Sequence, residues 1–393
     1  VTTSADVVIV GGGVIGSAIA YFLAADPTFE GSVVVIERDP TYRHASSALS
    51  ASSIRQQFST VENIRMSRFG FDFLRDAAGR LEVDGEAPEI GLVERGYLYL
   101  VSSRHKATQR EIHAVQRAEG AEVALLTPDQ LAGRFPWLSL DGVGLGSLGL
   151  AGEGWFDGYG LTRALRRKAA SLGATFRTGE VAGVRIASGR VEAVALADGA
   201  TIACETLVDA AGPWAAAVAA MAGVALPVEA RRRSVFVFEP RDPPADCPLV
   251  IDTSGAWFRP EGGAFIAGIS PPEAEDLPDL PLEPDHRLWE EILWPAVAAR
   301  VPAFDTVRLT GAWAGYYEMN TFDHNAILGP HPEVRNLLFA DGFSGHGIQG
   351  APAVGRAIAE LIVHGRYVSL DLSVFRYERI AAGRRVEERN VIG

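Results

Sequence analysis

Three glycine-rich segments hold most of the chemistry that this sequence can be read to perform. Gly11-x-Gly13-x-x-Gly16 follows the apolar run Asp6-Val-Val-Ile-Val10 and opens a stretch of helical period from Ser17 to Ala25. In such a motif the first glycine makes a tight turn and the second lets backbone approach a pyrophosphate. The third lets helix and strand pack closely. A second buried strand, Ser32 to Ile36, is followed by Glu37, where an acid can accept hydrogen bonds from a ribose. Strand, glycines, helix, strand and terminal acid together form a dinucleotide signature of about the expected 30 residues. Glu37 does not choose between NAD and FAD, but the motif's place at the start of the chain favours FAD. Val208-Asp-Ala-Ala-Gly-Pro-Trp214 points the same way, because its small residues let a strand end approach the same dinucleotide. Ordinary strand-to-helix turns share that composition. The third segment, Phe339-Ala-Asp-Gly-Phe-Ser-Gly-His-Gly-Ile-Gln349, runs into the last long helical pattern. A helix N-terminus there offers free N–H groups and positive partial charge. Beside a flavin it would stabilise negative charge at N1 and O2 of the reduced ring. A second phosphate loop is the other reading.

The elements that must carry these segments alternate as an α/β fold at both ends of the chain, with a β-rich middle. The N-terminal βαβ unit is followed by an expected loop from Asp39 to Ser59 and helical periodicity from Val61 to Ala78. A strand from Gly91 to Val101, helices from Arg104 to Glu119 and Pro128 to Arg134, and a Gly-rich crossing segment from Gly142 to Asp157 come next. Leu161 to Leu172 is amphipathic. Val181 to Ala187, Arg190 to Leu196 and Thr201 to Ile202 read as a meander, and Glu205 to Ala211 as a separate buried strand. Arg231 to Phe238, Leu249 to Ile251, Trp257 to Arg259 and Phe265 to Ala267 suggest a second sheet. A Pro-rich loop from Pro271 to Pro284 precedes a helix from His286 to Ala299. Val307 to Trp313 and Leu337 to Ala340 read as strands, and Gly347 to His364 as a helix. Both ends offer strands with no sheet of their own, so they must meet.

Composition bounds the function. The chain has 393 residues, 48% hydrophobic and 22% charged, which is globular and excludes disorder as the main state. Its net charge of −13 argues against nucleic acid as a partner. Cys204 and Cys247 are too few for a disulfide framework or a Cys-rich metal site, and no metal is expected. The glycines interrupting Val7 to Leu23 exclude an integral membrane segment there. No basic segment precedes that run, so a signal peptide is not expected and the reading is cytoplasmic. Lys106 and Lys168 are the only lysines among 36 basic residues, so any scheme needing a lysine has two candidates.

At this point the chain resembles the D-amino acid oxidase and sarcosine oxidase superfamily of FAD enzymes. Within it the FAD-dependent oxidoreductase domain-containing protein 1 group is most similar. The residues carrying the resemblance are Val35-Ile-Glu-Arg-Asp-Pro-Thr-Tyr42, Ala45-Ser-Ser-Ala-Leu-Ser50, Ile54-Arg-Gln-Gln-Phe-Ser59, Trp313-Ala-Gly-Tyr-Tyr317, Asn320-Thr-Phe-Asp323, Gly329-Pro-His-Pro332 and Gly342 to Gly347. The resemblance implies a Rossmann-like FAD domain of the glutathione reductase type (residues 1–85, 150–225 and 315–393). It also implies a discontinuous β-rich α+β substrate domain (86–149 and 226–314). The cofactor contacts it implies are Gly11, Gly13, Val14, Ile15, Gly16, Glu37, Arg38, Ser46, Ser47, Val181, Ala211, Gly212, Trp214, Gly345, His346, Gly347, Ile348 and Gln349.

In sarcosine oxidase relatives an arginine at the position of Arg55 holds the substrate carboxylate, and its planar fork suits that task. A surface arginine paired with Glu62 is the bland alternative. Relatives place a second cation in the final Gly-rich loop, where this chain has Gln349. Glycine oxidase relatives place an arginine where Tyr317 stands. Tyr316 and Tyr317 could donate hydroxyls or form an aromatic wall. Covalent flavin attachment in some relatives uses a cysteine near Tyr316 or a histidine near Leu49, so the FAD here is expected to be non-covalent. The oxygen-activating lysine of related oxidases corresponds to Ile266.

The resemblance therefore implies oxidation of the C–N bond of an amino acid or N-methylated amino acid by hydride transfer to flavin N5. Arg55, Tyr317 and His346 would stand at the substrate, and a dehydrogenase is favoured over an oxidase. The electron acceptor is left open between a quinone, an electron-transfer protein and O2. The alternative is a flavin-bound assembly or binding factor for a respiratory complex.

Overall fold

Short β-branched runs without polar alternation bury both faces of a strand, and here they form the centre of a largely parallel sheet. Thr2–Val10 pairs in parallel with Thr201–Asp209 on one side and Val33–Glu37 on the other. The computed structural model, which describes residues 2–389, extends this sheet to eight strands. Leu337–Asp341 adds in parallel to Thr201–Asp209, and Ile327–Pro330 closes that edge antiparallel. Thr175–Thr178 closes the other edge. Val7 and Ile9 point to one apolar layer, while Val8 and Val10 point to another. The first layer holds the helices Val14–Ala25, Gly158–Ser171 and Gly347–His364, which pack on one another. The second holds the helix Ala215–Met221.

A second eight-stranded sheet runs in the order Val307–Asn320, Val228–Pro240, Ala264–Gly268, Trp257–Glu261, Leu249–Ile251, Tyr97–Ser102, Val143–Gly149, Val123–Leu126. It is antiparallel except where Leu249–Ile251 meets Tyr97–Ser102. Alternation gives it two characters. Leu98 and Leu100 join Phe236, Phe238, Phe258, Phe265 and Phe304 in an aromatic core under the helical segment from His286 to Arg300. Tyr97, Tyr99, Leu249 and Ile251 face the other way with Trp257 beside them. A two-stranded ladder, Ser53–Ile54 against Gly154–Trp155, holds the chain that leads into Arg55.

Several expected boundaries move. Thr201–Asp209 is one strand, not two, because its residues keep pairing with Thr2–Val10 throughout. Val307–Asn320 runs past the expected end at Trp313, since Val228–Pro240 offers a partner along its whole length. Residue 315, expected as a domain boundary, lies inside that strand. The crossing segment contains a strand, Val143–Gly149, and the 39–59 loop a helical turn, Ser46–Leu49. The strand expected from Gly91 begins only at Tyr97. The helix after His286 widens into a π-turn at Trp289–Leu293. Pro295 lacks the N–H that would continue the α pattern there.

Phe304 is fully buried, with ring centroids 5.0, 5.3 and 5.1 Å from Phe238, Phe258 and Phe265. Phe304→Ala should cost about 3–5 kcal/mol by leaving a cavity. Urea unfolding measures the loss, and flavin retained per folded protein should stay unchanged, because no Phe304 atom reaches the first sheet's cleft.

Candidate active site

The dinucleotide motif becomes a cradle because two of its glycines cannot carry a side chain. Gly11 has φ +100°, and a Cβ on it would lie 2.3 Å from the Ala210 carbonyl oxygen. A Cβ on Gly16 would lie 1.9 Å from the Gly11 carbonyl oxygen, so Gly16 serves the turn from within and does not line the cleft. Gly13 is open, with Ser47 Oγ 3.6 Å from where its Cβ would be. The cleft above is lined by Gly11, Gly13, Val14, Ile15, Glu37, Arg38, Ser46, Ser47, Val181, Ala211, Gly212 and Trp214. Glu37 accepts the Gly12 and Asp39 N–H groups at 2.8 Å each, one on either carboxylate oxygen. Each oxygen keeps a second lone pair. The Arg38 guanidinium stacks 3.6 Å over the Trp214 ring and makes a flat wall.

Buried polar atoms without partners test whether a ligand belongs here, since such atoms are costly. Ser46 Oγ and Ser47 Oγ are both buried and unpartnered. Their residues line this first cleft and a second one beyond it, along with Val14, Ile15 and Glu318. One elongated ligand can therefore run from the Glu37 end past the two serines into the second cleft, and a flavin dinucleotide fits that course. Three carboxyls brace the turns between the clefts. Asp209 accepts Ala211 N–H, Asp341 accepts Gly212 N–H and Glu318 accepts Gly342 N–H, each at 3.1 Å. Burial pushes all three up, Glu318 to about 8, and their mutual repulsion pushes Asp209 and Asp341 further.

The second cleft brings together Arg55, Tyr317, Gly345, His346, Gly347, Ile348 and Gln349. Arg55 is 4% exposed, and among the described residues no carboxylate pairs with it, Glu62 included. Its Nη1 donates to the Gln57 carbonyl at 3.0 Å, and its guanidinium lies 3.9 Å from the Phe58 ring centroid. Its Nη2 stands 2.9 Å from His346 Nε2. Arginine has only donors, so His346 Nε2 must accept and the ring proton sits on Nδ1. Burial and the Arg55 charge push the His346 pKa down to about 3. Gln349, found where relatives have a cation, accepts the Arg55 backbone N–H at 2.9 Å. Gln57 passes from Arg55 to Glu153, whose carboxylate accepts Gln57 Nε2–H at 2.9 Å and Gln56 N–H at 2.6 Å. Burial pushes Glu153 up to about 7.

Tyr317 abuts Gly345, where a Cβ would come within 2.4 Å of the Tyr317 ring. Burial raises the Tyr317 pKa, against two arginines that lower it, Arg233 and Arg55. Tyr316 turns its hydroxyl away to the Leu280 carbonyl, 2.6 Å distant.

Sequence reasoning missed Arg233, Tyr97, Tyr99, Trp257 and Glu318, all of which line one or both clefts. The signals were present. Tyr97-Leu-Tyr-Leu100 alternates with the period of a half-buried strand. Arg231, Arg232 and Arg233 form an uninterrupted run within the strand Val228–Pro240. Tyr97 and Tyr99 stack with ring centroids 6.3 Å apart, and the Tyr99 hydroxyl is buried and unpartnered.

Comparison with known proteins agrees with this geometry. A family model described as "FAD dependent oxidoreductase" (DAO) matches residues 6–361. "FAD-dependent oxidoreductase domain-containing protein 1" of Xenopus laevis is 45% identical, over 99% of this chain and 85% of that protein. The structure of L-proline dehydrogenase from P. horikoshii superposes with TM-score 0.86 at 27% identity, covering 98% of this chain and 100% of the other. Glycine oxidase from Geobacillus kaustophilus gives TM-score 0.81 at 26% identity, covering 95% and 98%.

Two outcomes are expected. Gly11→Ala should yield protein without bound FAD, seen as a lost flavin absorbance band per folded protein, together with a lowered melting temperature from the clash with the Ala210 carbonyl. Wild-type protein precipitated with acid should release its FAD to the supernatant, because Leu49 has no reactive group and the Tyr316 hydroxyl is turned away to the Leu280 carbonyl; flavin retained in the pellet would contradict this.

Proposed function

From the premise that the chain belongs to the FAD-dependent oxidoreductase (DAO) family, we propose that it oxidises the C–N bond of a small amino acid or N-substituted amino acid. The observation that carries this reading is the buried Arg55 guanidinium, open at the cleft and without a carboxylate of its own. A buried cation is stable when an anion pairs with it, and a substrate carboxylate meets its planar fork at two points.

The other residues then take defined tasks. Gln349 and Gln57 hold Arg55 through backbone groups, so the fork is fixed before substrate arrives. His346 stays neutral through the physiological range and orients the guanidinium as an acceptor. It adds no second positive charge. Tyr97, Tyr99, Trp257 and Tyr317 wall the cleft and exclude water. The neutral amine needs no side-chain base, and no carboxylate of the described residues forms a direct ion pair with Arg55; Glu153 reaches it only through Gln57. The N-terminus of the helix Gly347–His364 brings positive partial charge to the same cleft. FAD held by the first cleft and the two serines would supply the hydride acceptor for oxidation of the α or N-methyl carbon, and the imine product would be hydrolysed by water.

A dehydrogenase reading is favoured over an oxidase. Ile266 is buried in Ala264–Gly268, paired across the sheet with Val237 and Arg259. Lys168 donates to the Glu82 carbonyl on the surface, and Lys106 begins the helix Lys106–Ala118. The reduced enzyme should therefore pass electrons to a carrier such as a quinone faster than to O2. A cleft with an open buried cation also favours turnover of a small molecule over a purely scaffolding role.

Anaerobic mixing with sarcosine, dimethylglycine, glycine, L-proline and D-amino acids should bleach the flavin absorbance for at least one compound. No bleaching across the panel would refute the reading. Arg55→Met should lower kcat/KM for that compound about 100-fold or more, mainly through KM, because the carboxylate loses its charged partner.

His346 gives a pH signature. Its folded pKa lies below the ordinary value of 6.5. The unfolded chain therefore binds the proton first, and stability drains as pH falls from about 6.5 towards 3. His346→Gln removes that loss, so the gap in melting temperature between wild type and variant should narrow or invert between pH 7 and pH 4.

A further inference from the structure

Arg233 is a second guanidinium in the substrate cleft, and it is already occupied. It is 9% exposed and lines the same cleft as Arg55. Its two terminal nitrogens hold both carboxylate oxygens of Asp276, at 2.7 and 3.0 Å. Its Nε is buried and unpartnered. Its guanidinium lies 5.1 Å from the Tyr317 ring centroid, and Tyr317 feels the charge of both arginines.

Asp276 comes from the Pro-rich loop between residues 271 and 285, which carries six acidic residues in fifteen positions. That loop lies along the run of three arginines. Asp279 N–H donates to the Ala230 carbonyl at 2.9 Å, and Arg232 Nη1 donates to the Glu283 carbonyl at 3.1 Å. Tyr316 fastens it again at Leu280. Charge complementarity and these bonds hold the loop beside the cleft, so Asp276 is delivered to Arg233 by the fold.

The cleft is thus lined by two guanidiniums, of which Arg233 is paired with Asp276 from the adjoining loop. We infer that Asp276 is a specificity-determining residue, which neutralises Arg233 so that the cleft accepts substrates with a single carboxylate and turns away those with two. A dicarboxylate would have to break a bidentate ion pair and leave Asp276 beside its own second charge. This inference rests on the reading of Arg55 as the carboxylate anchor.

The test uses the FAD-loaded enzyme and simple anions, whose binding is followed by perturbation of the flavin absorbance. Acetate and propionate are compared with malonate and succinate. Wild type should favour the monocarboxylates, and Arg55→Met should abolish their binding. In Asp276→Ala and Asp276→Asn the ratio of dicarboxylate to monocarboxylate affinity should rise about tenfold or more, the size of one charge-assisted contact. That rise should vanish in the double variant Arg233→Met/Asp276→Ala. Melting curves identify the variants that retain the fold, and the asparagine variant keeps the shape of the loop. An unchanged ratio in both folded Asp276 variants, with Arg55-dependent acetate binding intact, overturns the inference and leaves the anchor reading standing. A rise that persists in the double variant also overturns it. Monocarboxylate binding that is absent or indifferent to Arg55→Met overturns both.

Discussion

Removing a guanidinium from water without a carboxylate paired to it costs several kcal/mol, and among the described residues none pairs with Arg55. Much of the second cleft can be understood as the means of holding that charge in place. Gln349 fixes its backbone, Gln57 takes one terminal nitrogen and His346 takes the other. The Phe58 ring covers its face. Each of these partners is neutral, so none cancels the charge. Glu153, the carboxyl reached through Gln57, is pushed by burial towards its protonated form and balances the charge only in part.

That arrangement needs two frames to meet. The parallel sheet delivers the helix Gly347–His364, and with it His346 and Gln349. The second sheet delivers the Tyr97 and Tyr99 face and Arg233. Between them the short ladder Ser53–Ile54 with Gly154–Trp155 sets where Arg55 leaves the chain. Arg259 ties the second sheet to this junction by donating to the Ala51 carbonyl at 2.7 Å, and Trp313 does so through the Leu49 carbonyl at 2.8 Å. The 345–349 loop and the aromatic walls of the second cleft are thereby held in one register.

The dinucleotide cradle was legible in the sequence because its chemistry is local. Gly11, Gly13, Glu37 and the helix that follows stand within one βαβ unit, and their spacing states their task. Arg55 was legible only through family likeness, since nothing in Ile54-Arg-Gln-Gln reveals burial. Arg233 and Asp276 were not read at all. Their meeting depends on a loop crossing a strand 43 positions away, and neither hydrophobic period nor turn chemistry reports such a crossing. Gln349 looked like a missing cation from the sequence. In the fold its side-chain oxygen accepts the Arg55 backbone N–H, a role that only the closeness of the two segments reveals. The strand from Val307 was drawn too short for a related reason: its length is dictated by its partner, Val228–Pro240, more than by its own residues.

The bond between Arg55 and His346 joins positions 291 apart in the chain. Apart from Glu318, the walls of the dinucleotide cleft come from residues 10–47 and 179–221. During synthesis on the ribosome, most of the first cleft therefore emerges long before Arg55 can meet His346. A chain stalled near residue 300 would own most of the first cleft but neither Glu318 nor the 345–349 loop of the second. Release of the last fifty residues before His346 is the step that turns a nucleotide-binding frame into a place for chemistry.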